Sequence, residues 1–121
     1  MPNLTEVFKL TTRDLTTYNG YRYTVGVEHR FPGTGRMCSA GYSHAYLTPE
    51  MAALMNPIHA AFVDPILWRA QGHVVVRDNV LKVGCKSITL IEQVPLPTFS
   101  TEQRVAFAIA VTWRSYSKKS W

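Results

Sequence analysis

The chain has 121 residues, 46% apolar and 17% charged, which suffices for one hydrophobic core and not for two. That balance excludes a disordered chain, and no apolar run approaches the roughly eighteen residues of a membrane span. Thirteen Lys/Arg against eight Asp/Glu give a net charge of +5, which favours acidic partners such as nucleic acid or an acidic protein surface.

The opening Met-Pro-Asn-Leu-Thr-Glu has neither the basic start nor the apolar stretch of a secretory signal, so a cytoplasmic location is expected. Reduced thiols at Cys38 and Cys85 go with that compartment. Residues 7–10 read as a short opening strand, followed by a Thr-rich stretch and an Asn19-Gly20 turn. Tyr21, Tyr23, Val25 and Val27 then alternate with Arg22, Thr24, Gly26 and Glu28, a period of two that predicts a strand. A loop at Pro32-Gly33-Thr34-Gly35 leads to an extended segment, 37–46, with Tyr42, His44 and Tyr46 on one face.

Thr48-Pro49, Asn56-Pro57 and Asp64-Pro65 recur at eight-residue intervals. Thr, Asn and Asp cap helices well, and Pro at the first helical position loses no hydrogen bond. The first pair predicts a helix over 49–55 with Met51, Leu54 and Met55 as its buried stripe. The second bends or restarts that path, and the third hands the chain to a strand. Residues 66–70 and 73–76 read as strand, with Gly72 a break or bulge between them.

After a tight connection at Arg77-Asp78-Asn79, a long strand is expected over 80–94. Its alternation changes phase between Cys85 and Ile88, which predicts a bulge near Gly84-Cys85-Lys86. Pro95 and Pro97 end that strand. Ser100 with Gln103 is a capping-box pattern for a helix over 101–114, with Val105, Ile109 and Trp113 as its inner face. The fold expected is therefore α+β, an antiparallel or mixed sheet with two helices packed on it. Residues 1–114 form a single globular domain, and 115–121 a basic, flexible tail.

Several of these pieces together resemble a small domain family common in tailed phages and prophages, which has no established activity. They are Gly20-Tyr21-Arg22-Tyr23, the turn from Cys38 to His44 before a proline-started helix, Lys82-Val83 with Ile88 and Leu90, and the aliphatic helix 105–111. The family turn is C-x-x-G-[FY]-H, and here Ser43 intervenes before His44. The resemblance implies a phage context and, with it, a bacterial host cytoplasm.

The layout is also similar to the core of ADP-ribosyltransferases, and that similarity implies an NAD pocket framed by Lys9, Ser43, His44 and Glu92. Lys9 stands where an arginine would grip the pyrophosphate, and it lacks the bidentate fork. Glu92 lacks the acidic or polar partner two residues earlier.

Other chemistry is weaker. Gly41-Tyr42-Ser43-His44-Ala45 approaches a nucleophile elbow, but that device needs a much larger sheet. Cys38 and His44 could form a thiolate–imidazole pair only if the chain folds back between them; six residues apart in an extended segment, a buried Cys and a hydrogen-bonded His are expected instead. No zinc spacing exists, and the Gly33-Thr34-Gly35 loop lacks the Lys-Ser/Thr of a phosphate cradle. The surface offers more. Arg114, Tyr116, Lys118, Lys119 and Trp121 mix cations with stacking faces, and His29, Arg30 and Arg36 flank the Pro-Gly loop.

The expected function is that of a small basic phage-type accessory protein that binds and modulates a host macromolecule, foremost a host protein. Catalysis, cofactor, metal and membrane are not expected. The alternatives are an ADP-ribosyltransferase-like NAD-binding enzyme or pseudo-enzyme, and a nucleic-acid-binding protein using the basic aromatic C-terminus.

Overall fold

The structure is a computed structural model that describes residues 3–17, 20–35, 41–56, 62–78 and 82–119. In chain order its elements are β1 (Thr5–Thr11), β2 (Glu28–Arg30), β3 (Ser43–Ala45), α1 (Pro49–Met55), β4 (Ile66–Asp78), β5 (Lys82–Val94) and α2 (Thr101–Lys119). The architecture is α+β, and every strand pairing is antiparallel.

β4 and β5 form the central hairpin. β1 lies along the outer edge of β4, and the other edge of β5 takes β3 at Val83–Cys85 and β2 at 87–89. The sheet then closes on itself. Just past β3, Phe8 N–H donates to the Tyr46 carbonyl at 2.7 Å and Tyr46 N–H to the Phe8 carbonyl at 2.8 Å. β1, β4, β5 and the β3 segment therefore form a short barrel-like ring.

The period of two along β1 divides two cores. Val7, Lys9 and Thr11 point into the ring; Phe8 and Leu10 point out. Inside, Val7 packs with Tyr23, Ala45, Ile66, Trp68, Ala70, Val83, Cys85, Ile88 and Leu90. Outside, Phe8 and Leu10 pack with Tyr46, Leu67, Ala52 and Met55, the last two carried by α1. Side chains of this kind contribute about 1.5–3 kcal/mol each when fully buried.

β5 keeps its inward set only by changing phase. His73 pairs with Ser87 and Val74 with Cys85, which leaves Lys86 as the extra residue, within the segment where the sequence pattern requires a bulge. Gly72, in contrast, breaks nothing. It sits in register between Thr5 and Ile88 within one continuous strand. A Cβ there would lie 2.7 Å from the Cys85 sulfur and 3.3 Å from Val7, so glycine makes room for the thiol.

α1 begins and ends where the cap–proline pair predicts, with the Thr48 hydroxyl accepting from Met51 N–H at 3.1 Å. Its fully buried residues are Ala52, Ala53 and Met55, while Met51 and Leu54 are half-buried. Pro57 lies outside the described residues. Asn56 acts as a clamp: its amide donates to the Phe62 carbonyl and accepts from Phe62 N–H, at 3.0 and 2.9 Å. Asp64 adopts φ +51° and holds Arg13 through two bonds of 2.8 and 3.0 Å.

Two expectations are corrected. Residues 21–27 are not a strand. Gly26 turns at φ +81° with its N–H on the Leu90 carbonyl, and the ladder with β5 starts only at Glu28. The alternation there reflects a ring cluster: Tyr21 packs edge-on to Tyr23 and tilted against Phe31, while Val25 and Val27 are exposed. The second correction concerns α2. Its capping box forms as expected, Ser100 N–H on Gln103 Oε1 at 2.9 Å and Gln103 N–H on Ser100 Oγ at 3.1 Å. The helix continues to Lys119, however, and Val105, Ile109 and Trp113 face away from the body.

Candidate functional site

The ring interior gathers an unusual set of polar side chains. Lys9 is 6% exposed, its ammonium donating to the His44 carbonyl and standing 5.3 Å from the centre of the Tyr23 ring. The Tyr23 and Ser43 hydroxyls are 2.8 Å apart. Cys85, register partner of Ser43, is a free, buried thiol. Thr11 accepts from the Trp68 indole at 2.9 Å.

Burial sets the electrostatics of this cluster. It pushes Lys9 down from 10.5 to about 8; Cys85 opposes that shift and Lys82 adds to it. It pushes the Tyr23 phenol up to about 12, against hydrogen bonds from Ser43 and Thr17. It pushes the Cys85 thiol up to about 11, against the pull of Lys9. At neutral pH the interior thus holds the Lys9 ammonium among neutral hydroxyl and thiol groups, with the buried Lys82 near enough to act on it.

Of the four residues that the transferase layout groups together, this interior unites Lys9 and Ser43. His44 contributes its carbonyl, while its ring lies on the outer face near Tyr42, at 6.5 Å between ring centres. Glu92 is also outside. Its carboxylate accepts from Arg69 at 2.9 Å, and Arg69 reaches Glu6 as well, at 3.6 Å. Along β5, Glu92 stands roughly 20 Å from the Ser43 partner Cys85. Ser43 is buried against Tyr23, so no exposed nucleophile sits at the elbow-like sequence. Cys38 lies outside the described residues.

The surface candidates divide. Both ring nitrogens of His29 are used, Nδ1 with the Tyr21 hydroxyl and Nε2 accepting from Thr24 N–H, each at 3.0 Å. That ring fastens the turn around Gly26. Arg30 pairs with Glu28 at 2.8 Å. Arg36 and Trp121, and the side chains of Arg114, Tyr116, Lys118 and Lys119, lie outside the described residues. The last four belong to the final turns of α2.

α2 itself provides the second candidate. Phe107 turns back onto the outer core, and Arg104 stacks 5.9 Å from the Phe99 ring. Val105, Ile109 and Trp113 recur every fourth residue on another face, at 52%, 64% and 67% exposure. From Val105 to Trp113 no residue is charged. That run is the sequence signal for this surface: a helix apolar on more than one side needs more cover than one side of a small sheet supplies. Tyr23 and Cys85, the other partners in the interior, could be read only as core residues. Comparison of the chain with protein-family models, with curated proteins and with solved structures gave no match.

Proposed function

We propose that the protein is a non-catalytic binding module that docks α2 into an apolar groove of an acidic partner protein. The observation that carries this reading is the outward stripe Val105–Ile109–Trp113 on a helix whose Phe107 already engages the body. An amphipathic or apolar helix laid into a groove is a standard mode of protein recognition, and tryptophan is among the side chains that dominate such contacts. Charge selects the partner. Residues 101–121 carry Arg104, Arg114, Lys118 and Lys119 against Glu102. A second copy would bring its own +5 to the contact, whereas a groove rimmed by carboxylates is attracted.

The resemblance to phage and prophage domains supports a bacterial host protein as that partner, met in the host cytoplasm. The transferase reading loses support because Glu92 and Lys9 occupy opposite faces of the sheet.

The test is affinity capture from bacterial lysate, comparing the wild type with the Ile109→Asp/Trp113→Ser variant, with cross-links mapped on the captured protein. The reading expects one acidic protein cross-linked to 105–113, lost in the variant and weakened by salt. Capture that survives both substitutions overturns it. So does self-association through α2, binding to nucleic acid alone, or turnover of NAD.

A further inference from the structure

We propose that His29 is a proton-operated latch, and that protonation of its ring releases the turn 24–27 from the edge of the sheet. What the two ring nitrogens touch decides the protonation state. Nε2 lies 3.0 Å from the Thr24 backbone nitrogen, which can only donate, so Nε2 keeps its lone pair. The hydrogen of the neutral imidazole then sits on Nδ1, where the Tyr21 hydroxyl accepts it at 3.0 Å. Only the uncharged ring, in that one tautomer, makes both bonds. In the imidazolium both nitrogens carry hydrogen, so Nε2–H and Thr24 N–H become two donors aimed at each other. The ring has to turn away, and the Thr24 bond is lost.

The turn has few other ties. Thr24, Val25, Gly26 and Val27 are all exposed, so none of them anchors it by burial. Among the described residues, its remaining backbone bonds are Gly26 N–H on the Leu90 carbonyl at 2.8 Å and Val27 N–H on the Thr24 carbonyl at 3.2 Å. The second of these lies within the turn itself. Tyr23, just before it, is held separately: its ring is buried, its N–H donates to the Leu15 carbonyl at 2.8 Å and its hydroxyl meets Ser43. On the other side the ladder with β5 begins at Glu28. Release is therefore local, bounded by Tyr23 and Glu28.

The charged groups on the surrounding elements do not offset protonation. On β2, Glu28 and Arg30 flank His29 on the opposite face and hold each other at 2.8 Å. On β5, the register partners Thr89, Ile88 and Ser87 are uncharged, and the next residue, Lys86, is a cation. On the segment before the turn, Asp14 faces Arg22 at 3.9 Å. The phenols in contact with the imidazole are those of Tyr21 and Tyr23, at 5.7 and 5.0 Å between ring centres. The Tyr23 hydroxyl is already engaged by Ser43 and Thr17. Tyr18 and Arg36 lie outside the described residues. An imidazolium at this position thus gains an ion pair only by breaking an existing one.

The test is NMR on the isotopically labelled full chain between about pH 7.5 and about pH 5, the range in which histidine side chains change charge. At the upper end, long-range nitrogen–proton correlations are expected to place the His29 hydrogen on Nδ1. Toward the lower end, the protection of the Thr24 amide against exchange, corrected for the intrinsic rate, is expected to fall about fivefold or more, with that of Tyr23 unchanged. His29→Gln keeps an acceptor oxygen but does not titrate, so its Thr24 amide should respond equally at both ends. A hydrogen on Nε2 at the upper end overturns the proposal, as does steady Thr24 protection or a response that persists in His29→Gln. Equal loss at Tyr23 and along β5 marks acid unfolding of the whole domain and overturns it too. The wild-type readouts decide the matter even where His29→Gln does not fold.

Discussion

Replacing Lys9 by Met removes the interior charge while keeping a side chain of similar length and volume. The fall from 10.5 to about 8 means that protonated Lys9 costs the folded chain about 3 kcal/mol relative to the unfolded one. Losing the bond to the His44 carbonyl returns about 1 kcal/mol, so Lys9→Met is expected to be more stable by about 2 kcal/mol at pH 7. The pH dependence is a sharper readout. Below pH 8 both folded and unfolded chains carry the proton, and the cost is felt in full. Between 8 and 10.5 the unfolded chain holds a proton the folded chain has released, so wild-type stability rises with pH.

Cys85 works the other way. Its thiol ionises at about 11 when folded and at 9.0 when unfolded, so stability falls with pH across that window. Tyr23, moved from 10.0 to about 12, adds a further fall above pH 10. The wild type should therefore gain about 1 kcal/mol between pH 8 and 9, level off, and decline above 10. Lys9→Met should stay level to pH 9 and then decline. Urea unfolding at a series of pH values reads both curves. A variant that is less stable than the wild type at pH 7 and still gains stability from pH 8 to 9 refutes the reasoning.

Other substitutions address the remaining elements. Gly72→Ala drives a methyl group into the Cys85 sulfur and is expected to cost about 1–3 kcal/mol by urea unfolding; adding Cys85→Ala should recover most of it. Trp68→Phe removes the indole donor to Thr11 and should cost about 1 kcal/mol on top of the volume change, which Thr11→Val in the same chain would partly offset. Ser100→Ala breaks the capping box of α2 at a cost of about 1 kcal/mol, seen as reduced helical circular dichroism with the ring packing intact.

Local chemistry made some elements legible in advance and left others hidden. Thr48-Pro49 gave α1 its start because cap and proline act within one turn, and Ser100 with Gln103 did the same for α2. The phase change between Cys85 and Ile88 located a bulge because side-chain parity must match a buried face. The stretch 21–27 misled because aromatic residues alternate there for a different reason: they build a ring cluster around His29, and Gly26 turns the chain. Closure of the ring was not readable, since it depends on Phe8 meeting Tyr46 across 38 positions. For the same reason the sequence could pair Lys9 with Ser43 only by analogy, and the same analogy grouped with them Glu92, whose carboxylate holds Arg69 on the outer face. Amphipathic spacing placed Val105, Ile109 and Trp113 on one side of α2, and reading that side as the inner face failed because spacing alone does not say which face meets the sheet.

The central claim is that α2 is the docking element, and hydrogen exchange tests it most directly. The captured complex and the isolated protein are compared amide by amide. Docking predicts strong added protection across 105–113, with the ring strands unchanged and the added protection lost in the Ile109→Asp/Trp113→Ser variant. Protection that appears on the sheet or the turns while 105–113 exchanges as in the isolated protein would contradict the account.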